Sequence, residues 1–373
     1  MSDYAAPGGA ANPTYTTLTS SLMPTSSPAK LETTLTRAWL TRGPLACALW
    51  PVSLLFGALS AVRRVLYRAN ILTSARLPVP VVVVGNIFIG GTGKTPLTIW
   101  LVQALRDAGM RPGVISRGHG SADRSPRAVT AASTPQQVGD EPLLIFQRGG
   151  CPVMVGRDRA QAGRALLAAH PEVDVLVTDD GLQHYALRRD VEIVLFDGRG
   201  AGNGWLLPAG PLRESPRRRR DVTVINAPAL APALVDQVAP KGSLVVQMRL
   251  DGGVAERLTD RSERMPLETL AAGGQRIVAA AGIGNPRRFF AMLRGAGLHF
   301  AELPLPDHHD FLDQPFAALD TDVILITEKD AVKCAQIEHL KDDPRLWVVP
   351  VSARIDSALA QQIVEKCRGR STA

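Results

Sequence analysis

The stretch Val79 to Val84 (VPVVVV) runs straight into Gly85-Asn86-Ile87-Phe88-Ile89-Gly90-Gly91-Thr92-Gly93-Lys94-Thr95, and a helical pattern opens at Pro96. A continuous β-branched run is the signature of a parallel strand covered on both faces. The helix that follows is apolar at Leu97, Trp100, Leu101 and Leu105 and stops at Gly109, with proline just inside its start and glycine just past its end. Phosphate oxygens need several converging backbone N–H groups, which only small residues with free φ allow. They also need a helix N-terminus behind them, a lysine for the terminal phosphates and a hydroxyl for magnesium. Gly90, Gly91, Thr92, Gly93, Lys94 and Thr95 supply all of these, so the loop predicts nucleoside triphosphate binding. It departs from G-x-x-x-x-G-K-[ST] in one place, because the first glycine of that pattern falls on Phe88.

The doublet Gly90-Gly91 resembles the variant loop of partition ATPases, signal-recognition GTPases and dethiobiotin synthetase. Further strands are predicted at 113–115, 152–155, 173–178, 191–196, 222–225 and 244–247, with helical stretches between several of them, such as 159–170. Strands alternating with helices give an α/β class: a P-loop NTPase with a doubly wound, mostly parallel sheet. From Gln275 a second, smaller α/β domain begins. Its predicted elements are a strand at 276–281, a helix at 286–293 and strands at 323–327 and 346–351. The resulting organisation is a disordered tail over 1–36, a hydrophobic helical segment over 37–70, the P-loop core over 71–243, a linker over 244–274 and the smaller domain over 275–373.

The first thirty residues are rich in Ser, Thr, Pro, Gly and Ala and offer little to bury. Pro44 to Val62 then runs nineteen residues without a charge, between Arg37 and Arg42 on one side and Arg63, Arg64 and Arg68 on the other. A spanning helix needs about 20 apolar residues, and Pro51 and Gly57 weaken one. A cleaved signal would export a domain that needs cytosolic ATP. A full span would strand one arginine flank outside. A helix lying in the cytoplasmic leaflet satisfies both flanks, with Trp50 near the headgroups; a buried core helix is the remaining reading. The chain as a whole is 45% hydrophobic and 21% charged, which excludes intrinsic disorder and a polytopic membrane protein. Its four cysteines, Cys47, Cys151, Cys334 and Cys367, stand far apart, so neither a disulfide framework nor a zinc site is expected. A net charge of +7, carried by arginine far more than by lysine, calls for an anionic partner. Nucleic acid is disfavoured, because no basic sheet or recognition helix interleaved with aromatics is visible.

The apolar strand ending in Thr178-Asp179-Asp180 delivers two carboxylates to its C-terminal end, where open α/β sheets bind ligands. Either can hold magnesium or cap the next turn. Thr327-Glu328-Lys329-Asp330 imitates a guanine-reading N-K-x-D loop, but its lysine falls third instead of second, leaving ATP as the expected nucleotide.

The loop, Ser116-Arg117-Gly118-His119-Gly120, Gly139-Asp140-Glu141-Pro142, Thr178 to His184, Leu207-Pro208-Ala209-Gly210-Pro211-Leu212-Arg213-Glu214, Ala281 to Pro286, Asp307-His308-His309 and Thr327 to Asp330 come in that order. This ordered set resembles the tetraacyldisaccharide 4′-kinases, the lipid A kinases of Gram-negative bacteria, over about residues 37 to 353. His119 departs from it, since the family more often has tyrosine there. The resemblance implies transfer of the ATP γ-phosphoryl group to the 4′-hydroxyl of a tetraacylated glucosamine disaccharide 1-phosphate, a lipid A precursor, at the cytoplasmic face of the bacterial inner membrane. ATP and Mg²⁺ are the implied cofactors, the lipid precursor and inner-membrane lipid the implied partners, and no obligatory protein partner follows. It further implies that Lys94 contacts the β- and γ-phosphates, that Thr95, Asp180 and Glu214 bind Mg²⁺, and that Asp140 is the base with His308 as its partner. Asp179, Gln183, His184 and Arg213 are implied substrate contacts or supports. From the residues alone, Asp140 before Pro142 reads equally as a helix N-cap. Arg217-Arg218-Arg219-Arg220 reads either as a contact to leaflet or 1-phosphate or as a solvated charge run. The other class of reading is a membrane-tethered partition-type or regulatory ATPase, whose loop usually carries a lysine where this chain has Ile89. A soluble kinase or ligase of the dethiobiotin type would not need the apolar arm.

Overall fold

The computed structural model describes residues 38–118 and 125–369. His119 and Gly120 of the glycine-flanked motif, the tail over 1–36 and Arg37 lie outside the described residues. The strands are β1 (Val81–Asn86), β2 (Pro112–Ser116), β3 (Arg127–Ala128), β4 (Val153–Val155), β5 (Val175–Asp179), β6 (Val191–Asp197), β7 (Val222–Asn226), β8 (Leu244–Asp251), β9 (Val254–Arg257), β10 (Arg264–Pro266), β11 (Ile277–Ala281), β12 (Ala301–Pro304), β13 (Val323–Thr327), β14 (Leu346–Val349) and β15 (Ser352–Ile355). The helices that matter here are α1 (Pro44–Arg68), α2 (Lys94–Asp107), α3 (Asp140–Gly149), α4 (Arg159–Ala169), α5 (Pro286–Gly295), α6 (Glu328–Cys334) and α7 (Ala358–Arg368).

A nine-stranded sheet runs β15-β8-β7-β6-β1-β5-β2-β4-β3. It is parallel from β8 to β4, with antiparallel pairing only at its two edges. Because side chains alternate along a strand, Val82 and Val84 of β1 enter the core with Leu97, Leu101 and Leu105 of α2. Val81 and Val83 enter the opposite core with Leu166 of α4. Both faces are therefore covered, which is why the run reads without alternation. Each fully buried valine contributes roughly 1.5–3 kcal/mol. β1 lies between β5 and β6, so the loop after it opens at the point where the sheet's winding reverses, the usual ligand crevice.

The second sheet runs β10-β9-β14-β13-β11-β12. Residues 244–274, expected as a linker, are not one. β8 pairs in parallel with β7 in the large sheet, while β9 and β10 edge the small one. The expected 275–373 domain is also interrupted. After β14 the chain crosses back, β15 pairs with β8, and Leu359 and Ile363 of α7 pack into the P-loop core. The strand expected over 346–351 ends at Val349, before Pro350, and the next strand, β15, begins at Ser352 in the other sheet. Proline lacks the N–H a central ladder needs.

α1 extends to Arg68, beyond the expected Val62, and continues through Pro51. It rests on the protein by a narrow strip. Only Ala46 and Ser53 are buried, and the Ser53 hydroxyl donates to the Leu206 carbonyl at 2.8 Å. A Cβ on Gly57 would come within 2.9 Å of the Leu206 side chain, so glycine permits this close approach. The opposite face is apolar and open: Leu55 and Leu59 are each 62% exposed, and Val52, Val62 and Val65 lie beside them. A buried core helix is thereby excluded.

Candidate active site

A cleft of about 1090 Å³ separates the two sheets at the C-terminal ends of β1, β5 and β7. The glycine-rich loop forms its floor. Gly90 and Gly93 adopt φ of +95° and +100°, a region that side chains disfavour, and Gly93 caps α2 so that the helix starts at Lys94, two residues before the expected Pro96. A Cβ on Gly93 would also lie 2.6 Å from the Asn226 amide, which donates to the Thr92 carbonyl at 2.9 Å. Asn86, at the end of β1, ties the loop from within. Its amide donates to the Phe88 and Gly90 carbonyls, and its oxygen accepts from Lys94 Nζ at 3.1 Å. Arg288 of α5 reaches across to the Thr92 carbonyl at 3.3 Å, so the second unit touches the loop directly.

Asp179 and Asp180 end β5 inside the same cleft. Asp179 is 1% exposed, and its Oδ1 accepts from the Thr98 hydroxyl at 3.2 Å. Burial, together with the negative charges of Glu141 and Asp180, pushes its carboxyl up to about 7 against the opposing pull of Lys94. Asp180 sits at φ +50°, and its two carboxylate oxygens both accept from Arg213 Nη1, at 3.1 and 3.2 Å. Burial would raise its carboxyl too, but Lys94 and Arg213 outweigh that and hold it below the usual range.

The cleft's far wall brings two distant segments together. Asp140 opens α3 after Gly139 and is 6% exposed; Gly139, not Asp140, occupies the N-cap position, which removes the simple capping reading. The Asp140 carboxylate instead meets His308 Nδ1 at 3.1 Å. Lys333 and Lys329 of α6 stand 3.6 and 3.9 Å from the same oxygen. Burial alone would raise the Asp140 carboxyl, yet the His308 hydrogen bond and the two ammonium groups hold it well below the ordinary carboxylate range. That hydrogen bond in turn raises the His308 imidazole above its usual value, against burial and Lys329. The hydrogen bond therefore favours the anion on Asp140 and a proton on His308 Nδ1, which faces it.

Sequence reasoning passed over Lys329, Lys333, Glu141 and Asn86. Lys329 Nζ donates to Glu141 at 3.1 Å and approaches His308 Nε2 at 3.3 Å. It comes from the very tetrad that imitates a guanine loop. Within that tetrad Thr327 and the Gly282 N–H hydrogen-bond Asp330, at 2.7 and 3.0 Å, so the motif locks the second unit's turn and presents its lysine to the first. Glu141 was visible in the G-D-E-P motif; the lysines had no local signal, because their role depends on a partner some 190 residues away in the chain.

A family model described as Tetraacyldisaccharide-1-P 4′-kinase matches residues 45–368. The chain belongs to the tetraacyldisaccharide 4′-kinase family. Among its relatives, the tetraacyldisaccharide 4′-kinase of Janthinobacterium sp. (strain Marseille) is 63% identical, over 92% of this chain and 98% of that one. That of Herminiimonas arsenicoxydans is 59% identical over the same shares. The crystal structure of the "apo" form of LpxK from Aquifex aeolicus in complex with ATP superposes with a TM-score of 0.71, at 27% identity, covering 87% of this chain and 99% of that one.

Three residues expected at or around the 4′-kinase site do not line the cleft. Glu214 does not line the cleft. Its carboxylate is saturated by Arg64, Gln183, Tyr185 and Arg218, at 2.7 to 3.2 Å, beside α1. Its expected place in the Mg²⁺ shell is therefore withdrawn, since four donors already occupy its oxygens. Gln183 links Glu214 to Arg213 outside the cleft. His184 also stands outside the lining; burial first, and then the Arg159 charge, push its imidazole down to about 4, so it is neutral. The four-arginine run divides. Arg218 pairs with Glu192 and Glu214, and Arg220 donates to Thr223 and the Val238 carbonyl, whereas Arg217 and Arg219 are exposed. Half of that run is internal scaffolding, which neither sequence reading foresaw.

Proposed function

We propose that this chain transfers the γ-phosphoryl group of ATP to the 4′-hydroxyl of tetraacyldisaccharide 1-phosphate at the cytoplasmic membrane surface. The observation that carries the reading is the Asp140–His308 pair facing the Lys94–Thr95 loop and the Asp179–Asp180 step across one cleft. Phosphoryl transfer asks a protein mainly to position reactants and neutralise charge. Backbone N–H groups of Gly90 to Thr95 cradle the β- and γ-phosphates. Lys94 leaves Asn86 to contact them, and Arg288 is placed to add a second cation. The sugar hydroxyl oxygen attacks the γ-phosphorus as the bond to the β–γ bridging oxygen breaks. The hydroxyl proton passes to Asp140, and the hydrogen bond from His308 Nδ1 keeps that carboxylate oriented and charged until then. A base held below the usual carboxylate range suits a loose transition state, where proton removal comes late.

The donor set fits Mg²⁺. Adjacent carboxylates on Asp179 and Asp180 line the cleft with the Thr95 hydroxyl, and burial together with neighbouring negative charge raises the Asp179 carboxyl, a cost that a divalent cation relieves. Thr95 and Asp180, with Asp179 beside them, are the residues that would hold it, where it would neutralise charge on the phosphate oxygens. A regulatory ATPase would have no use for a histidine-paired carboxylate opposite the γ-phosphate. The exposed apolar face of α1 supports residence in the leaflet, which brings the cleft to an acylated substrate that does not leave the bilayer. The test is to offer labelled ATP and the lipid precursor in mixed micelles. Label is expected on the lipid and is lost in Lys94→Ala; intact protein that labels no lipid refutes the kinase reading.

A further inference from the structure

Beneath the C-terminal turns of α1 lies a second cavity, of about 450 Å³, which shares no lining residue with the cleft. Arg64, Tyr67 and Arg68 line it from the helix, and Arg188, Arg189 and Asp190 from the segment leading into β6. Asp190 is the sole acid among the described lining residues, and its Oδ2 accepts the Val81 N–H at 2.8 Å. Arg64 and Arg189 spend charge on Glu214 and Glu192, at 3.2 and 2.9 Å. The Arg188 guanidinium donates to the neutral Asn70 side chain, at 3.3 Å. Two guanidinium groups of this concave site, those of Arg68 and Arg188, have no carboxylate partner among the described residues.

The surroundings decide which anion would meet these two guanidinium groups. On the same helix turns Val62 and Val65 are exposed, and Ile71, just past the helix, is 68% exposed. A pocket of arginines under the end of an apolar face matches a molecule that is anionic at one end and hydrocarbon at the other. Guanidinium forks read phosphate in a way diffuse ammonium charge does not. We infer that this cavity seats the phosphate of an acidic phospholipid headgroup from the leaflet in which α1 lies, separately from the reacting disaccharide. The inference rests on the leaflet reading of α1, and the two are separable by experiment.

The full chain is floated with vesicles of phosphatidylcholine alone or with added phosphatidylglycerol, at physiological salt, and retained melting temperature checks that each variant folds. The parent is expected to prefer the acidic vesicles. At about 1 kcal/mol for each surface cation, Arg68→Gln with Arg188→Gln should reduce that preference by about 30-fold and leave binding to neutral vesicles unchanged. The paired Arg→Lys variant should lose most of the preference as well. If the lysine pair keeps it whole, attraction is diffuse and no seated site exists. If the glutamine pair keeps it, the inference is overturned while the leaflet reading stands. Leu55→Asp with Leu59→Asp should weaken binding to both vesicle types; unchanged binding to both refutes the leaflet reading itself. Finally, a raised KM for the disaccharide in the glutamine pair, measured in neutral detergent without acidic lipid, would assign the cavity to the substrate's own phosphate and overturn the lipid assignment.

Discussion

Replacing Asp179 by asparagine should stabilise the protein in the absence of nucleotide and metal, and should do so only above acidic pH. In the folded chain this carboxyl is pushed up to about 7 from an ordinary 3.8, by burial first and then by the negative charges of Glu141 and Asp180. Below about pH 4 the side chain is protonated whether the chain is folded or not, and it contributes no pH dependence. Between there and pH 7 the unfolded chain releases the proton while the folded one retains it, so stability falls as pH rises; above 7 the penalty is constant. The full difference corresponds to about 4 kcal/mol, and sharing of the proton with its acidic neighbours brings the expected effect to roughly 2–4 kcal/mol. Asparagine keeps the oxygen that accepts the Thr98 hydroxyl, so the swap removes charge and little else. Thermal unfolding of parent and variant should coincide near pH 4 and diverge by roughly 3–5 °C at pH 8, with the variant the more stable. The variant should also lose activity, which makes it a stability gained at the cost of function. Curves that run parallel at every pH, or a variant that melts lower at pH 8, would refute the account of a crowded acid step awaiting a cation.

Asp140→Asn should lower kcat by about 10²- to 10⁴-fold with little change in KM for ATP, read by steady-state transfer assays. His308→Ala should cost less, since Lys329 and Lys333 still hold the Asp140 carboxylate ionised. The double variant should be no worse than Asp140→Asn, because the two act as a unit. Gly93→Ala meets both a positive φ and the Asn226 amide, so calorimetry should show at least a tenfold loss of ATP affinity together with about 1–3 kcal/mol of lost stability.

Much of the fold was legible because the strands that build it are buried on both faces and so write themselves as unbroken apolar runs; β1, β5, β6, β7 and β13 lie within two residues of expectation. What escaped were elements with no such signature. β3, β10 and β15 are short edge strands of mixed polarity, β9 is a short strand just inside β10, and β8 continues past its expected end with residues that alternate between inward-facing and exposed. At the site, the glycine loop and the Asp179–Asp180 step could be read locally, because backbone conformation and strand ends are encoded locally. The Asp140–His308 contact followed from resemblance alone. The lysines that charge it were invisible, since nothing near Lys329 or Lys333 in the chain announces a carboxylate from another sheet. Glu214 misled for the opposite reason: a motif carries its residues together, but only packing decides which way a carboxylate faces.

The return of the chain from β14 to β15 and α7 has a consequence for how the protein can be divided. A cut after residue 274 would strip the large sheet of the border strand that pairs with β8 and of the helix that covers α2, because both are encoded beyond the second sheet. The two units are thus interlocked along the chain, and the nucleotide-binding one cannot be excised as a single continuous piece.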